Sequence, residues 1–207
     1  MDIEAYIQNP CGASSLPLWK TNCMQVPDGL LILREDDSRI PFIERECSDM
    51  LYFKLIHHME HIEQPSLPDG YCFVCPDAII LSNHISSCYV SERASVAELE
   101  SYRDHPVYSP DLWLAIVDEH TDRIIASGIA EVDRDIREGI LEWIQVSPEY
   151  RRRGWGRIIV NELLFRMRGR VDFVTVSGKV NDTFDPRTLY ERCGFQDAVI
   201  WHVVRSA

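Results

Sequence analysis

The sequence predicts an α+β fold: a mixed, mostly antiparallel sheet flanked by helices, with an N-terminal α+β extension. Three observations predict it. From Tyr71 onward, segments with two-residue alternation and segments with helical spacing follow in the order β-α-α-β-β-β-α-β-α-β. Pro65, Pro68 and Gly70 punctuate the chain just before that run, so residues 1–70 are expected as an extension and 71–207 as the main domain. Residues 139–167 read as strand, glycine turn and helix, the unit around which the rest is arranged.

Along the chain, residues 1–20 show no periodicity, and Asn9-Pro10-Cys11-Gly12 with Pro17 argues for an irregular, turn-rich start. Residues 30–34 and 40–45 read as a strand pair. A helix capped by Ser48 or Asp49 is expected next, its buried stripe formed by Leu51, Leu55, Met59 and Ile62. Past the boundary, residues 71–74 suit a short strand, and Ala78, Leu81, Ile85 and Cys88 recur at helical spacing. Ser95-x-x-Glu98 is a capping box that opens a second helix. Residues 112–118 and 123–133 read as a hairpin, and 138–146 continue it. After the long helix come a strand at 171–177, a short helix from Pro186 with Asp185 as cap and Gly194 as stop, and a last strand at 198–204.

The chain has 207 residues, of which 45% are apolar, enough for a buried core. With 33 acidic and 21 basic residues the net charge is −12, which argues against nucleic-acid and anionic-membrane surfaces. Seven irregularly spaced cysteines and an opening Met1-Asp2-Ile3-Glu4 without signal-peptide character point to a soluble, cytoplasmic protein. Against that acidic background the basic stretch Arg151-Arg152-Arg153-Gly154-Trp155-Gly156-Arg157 stands out. Its two glycines let backbone approach a ligand closely, and the first N–H groups of the following helix have no intrahelical partner, so the turn offers an anion cradle suited to a pyrophosphate. An acidic body with one basic notch suits an anionic cofactor and a cationic second substrate.

Two motifs resemble the GNAT superfamily of acyl-CoA-dependent N-acyltransferases. Residues 146–156 (VSPEYRRRGWG) are similar to that family's strand exit followed by [QR]-x-x-G-x-[GA], and residues 189–195 (LYERCGF) to its L-Y-x-x-x-G-F signature. The order of elements from Tyr71 onward is the third point of resemblance. The resemblance implies that backbone N–H groups of Arg152, Arg153, Gly154, Trp155, Gly156 and Arg157, with the Arg151 side chain, hold the pyrophosphate of acetyl-CoA. It implies that Ile144, Gln145 and Val146 leave their ladder at a bulge to pair with the pantetheine arm, and that Asn181 contacts the cofactor. Tyr190 matches the tyrosine that protonates the departing thiolate, a role a phenol with pKa near ~10 can fill.

The amine must lose a proton before or during attack, and Glu142 is the candidate base: simple alternation puts it on the face of Ile140, Ile144 and Val146, where apolar neighbours favour proton uptake. Glu131 and Asp133 on the preceding strand are candidates for binding the acceptor. The function expected is direct transfer of acetyl from acetyl-CoA to the primary amine of a small molecule or peptide in a ternary complex, without a metal, by a monomer or homodimer. A non-catalytic acyl-CoA-binding module of the same fold is the alternative. A more distant one is a zinc hydrolase, because His57-His58-Met59-Glu60-His61 fits H-x-x-E-H, a spacing that works when His57 and His61 share a helical face beside Glu60.

Overall fold

The computed structural model describes residues 1–23, 26–43, 47–89, 92–180 and 186–205. In chain order its elements are α1 (Ile3–Gln8), α2 (Pro10–Ala13), α3 (Leu18–Cys23), β1 (Leu30–Arg34), β2 (Ser48–His57), β3 (Tyr71–Val74), α4 (Ala78–Cys88) and α5 (Val96–Ser101). These are followed by β4 (Trp113–Asp118), β5 (Arg123–Asp133), β6 (Glu138–Val146), α6 (Trp155–Met167), β7 (Phe173–Lys179), α7 (Pro186–Glu191) and β8 (Gln196–Arg205). This is the expected α+β class, with mostly antiparallel strands flanked by helices. The chain gathers into two compact units, Met1–His58 with Thr175–Ala207, and Met59–Val174.

In the first unit the strand order is β1-β8-β2-β7, with β8 antiparallel to both β1 and β2. Two expectations fail here. Residues 48–57 form a strand and not a helix, and β1 pairs with β8, while residues 40–42 make a 3-10 turn and residues 44–46 lie outside the described ones. The reason is geometric: residues four apart, such as Leu51 and Leu55, share a face in a helix and in a strand alike, so their spacing does not discriminate. Pairing with β8 decides it, since Phe53 faces Ile200 and Lys54 faces Val199 across the ladder.

Nor is the N-terminus irregular. Three short helices form there, and polar side chains cap the first two: Asp2 Oδ1 accepts from Glu4 N at 2.9 Å, and Asn9 Oδ1 from Gly12 N at 2.9 Å ahead of Pro10 in the first helical position. Each is too short for an apolar stripe to show. Buried Lys54 on β2 fastens this segment, donating to Ser14 O at 3.0 Å and Leu16 O at 2.9 Å.

In the second unit β3-β4-β5-β6 form an antiparallel meander. Helices α4 and α5 start where expected, with Asp77 Oδ1 accepting from Ile80 N at 2.8 Å and Ser95 Oγ from Glu98 N at 3.1 Å. Their apolar faces cover one side of the sheet, where Leu81, Ile85 and Leu99 pack with Trp113 and Ile129. Helix α6 covers the other side. A side chain at Gly128 would run into Ile159 and Leu163, and one at Gly139 into Met167, so both glycines let the helix lie close.

Pairing of β5 with β6 shifts register between Gly128↔Ile144 and Ala130↔Leu141. Glu142 and Trp143 therefore oppose the single residue Ile129, which is a β-bulge. Among the described residues no helix is long and apolar enough to cross a membrane.

Candidate active site

The loop leaving β6 turns at Ser147, whose N–H donates to Ile125 O at 2.9 Å, and passes through a 3-10 turn at Pro148–Tyr150. Arg151 then locks it. Its Nε donates to Val146 O at 3.1 Å and its Nη2 to Cys88 O at 2.5 Å, joining the strand exit to the last turn of α4. The backbone next adopts two left-handed conformations, at Arg152 (φ 62°) and Gly154 (φ 90°), before α6 begins.

The N–H groups of Arg157 and Ile158 both point to Gly154 O, at 3.0 and 3.1 Å. Those of residues 152–156 receive no acceptor among the described residues. Arg152, Arg153 and Gly154 are exposed, and a Cβ at Gly154 would meet nothing within 4 Å. Below the turn Trp155 is buried against the Tyr71 ring, 4.6 Å between centroids, and anchors the helix end. The arrangement is an open cluster of donors at the positive end of a helix dipole, flanked by arginine charge, a geometry that binds phosphate. Arg151 contributes by shaping the loop through two carbonyls, and Arg153 lies over the Tyr150 ring at 5.6 Å.

On β6, Ile144, Gln145 and Val146 pair with Gly128, Ser127 and Ala126. Tyr89 Oη donates to Ile144 O at 3.0 Å. The bulge lies just upstream of this triplet, not within it, and that corrects the reading of Glu142. Ile140 pairs with Glu131, whereas Ile144 and Val146 pair with Gly128 and Ala126, so Ile140 faces the opposite side of the sheet from the other two. Glu142 sits in the bulge, half-buried, between the two phases.

Glu131 is 1% exposed on the α4 and α5 side, its Oε1 3.5 Å from His105 Nδ1, with His105 stacked on Tyr102 at 5.0 Å. Asp133 Oδ1 accepts from Asp135 N at 3.0 Å and so shapes the β5–β6 turn. In the other unit Tyr190 is 5% exposed, its ring 6.2 Å from Phe53 and 5.6 Å from Phe195. Asn181 and the cap Asp185 lie outside the described residues.

The zinc spacing has no helix to stand on. His57 ends β2, and Met59 (φ 57°) and His61 (φ 54°) are left-handed. Among the described residues no three His, Cys, Asp or Glu side chains gather to hold a metal.

A polar group that no sequence motif singles out is His84 on α4, 7% exposed, with Ser127 and Ser147 on its two ring nitrogens. Its only signal in the sequence is a histidine between Leu81, Ile85 and Cys88 on the buried face of a helix.

Residues 109–197 match the family model described as Acetyltransferase (GNAT) domain, the family that the motifs at residues 146–156 and 189–195 resemble. No curated protein matches the chain significantly. Among solved structures, a GCN5-related N-acetyltransferase from Sphaerobacter thermophilus is similar over 84% of this chain and 58% of its own, with TM-score 0.66 and 18% identity. The chain thus spans little more than half of that relative. A GNAT-family acetyltransferase from Colwellia psychrerythraea aligns over 84% of this chain and 64% of its own, with TM-score 0.60 and 10% identity. The ribosomal-protein-S18-alanine N-acetyltransferase of Escherichia coli aligns over 66% of this chain and 95% of its own, with TM-score 0.52 and 18% identity. At these identities the likeness is one of fold.

Proposed function

We propose that the chain is an N-acyltransferase that takes acetyl from acetyl-CoA and passes it directly to a primary amine. The observation that carries this reading is the open row of N–H groups at residues 152–156, set at the start of α6 and inside the segment that matches the GNAT domain. The diphosphate of the thioester binds there, and its pantetheine arm follows β6 beside Ile144, Gln145 and Val146.

The amine nitrogen attacks the thioester carbonyl. A C–N bond forms, the C–S bond breaks, and the thiolate takes a proton. Tyr190 is assigned as that proton's donor on its place in L-Y-x-x-x-G-F, and Glu142 as the base that relieves the ammonium of its proton. Glu131 and Asp133 contribute negative charge on the side from which a cationic acceptor approaches. The Escherichia coli relative acts, as its name states, on an alanine of a ribosomal protein, so peptide N-termini belong in the acceptor panel with lysines, polyamines and aminoglycosides.

Calorimetry with acetyl-CoA, followed by a free-thiol assay against that panel, tests the reading. Saturable binding with thiol release for at least one amine is expected. Absence of binding at physiological salt would refute it, and binding without release for any amine would leave a non-catalytic acyl-CoA module.

A further inference from the structure

Ser147, the first residue past β6 and the start of the cradle loop, is tied to α4 by side chains with no part in the acyl-transfer chemistry. His84 Nε2 lies 2.9 Å from Ser147 Oγ, and His84 Nδ1 lies 2.7 Å from Ser127 Oγ on β5. Ser147 Oγ donates to Ile124 O at 2.6 Å, and Gln145 Nε2 donates to Ser127 Oγ. Cys88 Sγ, one helical turn along, is 3.5 Å from Nε2.

These contacts, with a neutral buried ring, fix the protons along the chain. A serine hydroxyl has one hydrogen to give. Ser147 gives its hydrogen to Ile124 O, so toward His84 it accepts, and Nε2 carries a proton. A ring this buried stays neutral, so with Nε2 protonated Nδ1 is bare, and Ser127, which accepts from Gln145, gives it its own hydrogen.

The bonds therefore run one way, from Gln145 through Ser127, His84 and Ser147 to the Ile124 carbonyl, around a neutral imidazole. Reversing the Gln145 amide would turn Ser127 toward Gln145 Oε1 and force a proton onto both ring nitrogens, a buried cation. Burial opposes that and holds the His84 pKa down to about 4. Gln145 and Ser147 bracket Val146, whose carbonyl takes the Arg151 side chain, so the chain and Arg151 together pin the strand exit to α4.

We propose that His84, as the neutral Nε2–H tautomer, is a positioning residue for the acyl-CoA cradle. It touches no substrate. It fixes where the loop of residues 147–154 departs from the sheet, and hence where the N–H groups of residues 152–156 point. The inference rests on the coenzyme-binding reading of that loop.

The test compares full-length wild type with His84→Gln, Ser147→Ala and, as control, Ser82→Ala. Ser82 lies on the same helix and donates an equally buried bond to Ala94 O at 2.7 Å, away from the strand exit. His84→Gln replaces a rigid ring held at both nitrogens by a side chain with an extra rotatable bond, so it is expected to weaken acetyl-CoA binding and raise its KM about tenfold or more, with kcat changed less than about threefold. Ser147→Ala should act in the same direction, and the double variant should be little worse than the worse single one. Ser82→Ala should lower Tm by a similar amount and leave the acetyl-CoA Kd unchanged.

Nitrogen NMR of wild type labelled in its imidazoles should show His84 protonated at Nε2 and bare at Nδ1. A His84 proton on Nδ1, or an acetyl-CoA Kd equal to wild type in His84→Gln and Ser147→Ala, overturns the positioning role. If His84→Gln does not fold, Ser147→Ala and Ser127→Ala decide by the same criterion. A wild type that binds no acetyl-CoA overturns the coenzyme reading itself, an outcome distinct from variants that bind as well as wild type.

Discussion

Lys54 Nζ donates a hydrogen bond to Tyr6 Oη at 3.0 Å, from a position 1% exposed on β2. The same nitrogen reaches the carbonyls of Ser14 and Leu16 and lies 4.9 Å from the Tyr6 ring centre. Three donations require the protonated amine, so a buried ammonium holds residues 6–16 to the strand. Tyr6→Phe removes one bond and should cost about 1 kcal/mol. Lys54→Met strands two carbonyls as well and should cost about 3 kcal/mol. Urea unfolding measures both, and limited proteolysis of Lys54→Met should cut first within residues 1–23.

Gly194 follows α7 at φ 93°, and a Cβ there would stand 2.8 Å from His57 Nε2. Gly194→Ala is expected to lose stability on two counts, about 1–2 kcal/mol for the left-handed backbone and a further part for the collision. In a His57→Ala background the second part should disappear and the first remain. A double-mutant cycle on Tm separates them, with a coupling of about 0.5 kcal/mol or more expected.

Gly154 differs, because φ is 90° yet its missing side chain faces open space. Gly154→Ala should cost only about 1 kcal/mol of stability, all of it backbone strain. Its methyl would project beside the N–H groups proposed for the diphosphate, so acetyl-CoA affinity should fall about tenfold or more. A stability change without an affinity change would move the diphosphate elsewhere.

Protonation of His84 sets an acid limit. Burial lowers its pKa to about 4 from 6.5, against a smaller opposing pull from Glu149; Ser127, Ser147, Cys88 and Gln145 are the other groups placed around it. Between these values the unfolded chain takes up a proton that the folded one refuses. The contribution is therefore complete above pH 6.5 and drains away as pH falls toward 4, in total about 3 kcal/mol. Stability measured from pH 7 to pH 4 should fall less steeply in His84→Gln than in wild type.

Two variants bear on the chemical step. Tyr190→Phe should lower kcat about 10²-fold with KM for acetyl-CoA little changed, and Glu142→Gln should do likewise at saturating amine. Wild-type turnover in either removes that residue from its assigned role.

Much of the second unit is legible in the amino-acid sequence. Strands β3, β5 and β6 and helix α4 fall on the expected residues, because alternation, caps and glycine stops coincide there. The loop at residues 151–157 is legible for the same reason. The strand β2 is not, since a spacing of four is common to both periods. The three N-terminal helices are not, being four to six residues long, the first two capped by Asp2 and Asn9 and the segment tied down by a distant lysine. In the site, the bulge at Glu142 and Trp143 depends on which partner each residue meets, a long-range fact that alternation along one strand cannot hold. His84 escapes notice because a histidine on an apolar helix face reads as core until both of its serines, from other parts of the chain, are in place.

With Glu142 and Trp143 both opposing Ile129, β6 carries one residue more than its ladder accommodates. Excising Trp143 would let the ladder close while every pairing from Ile144 onward survived, so the polar chain to His84 and the start of α6 would stay put. What would vanish is the kink that turns backbone groups out of the sheet plane. On the coenzyme reading proposed above, such a shortened chain would still grip the nucleotide end of an acyl thioester while losing purchase on the acyl end, dividing capture from transfer within a single strand.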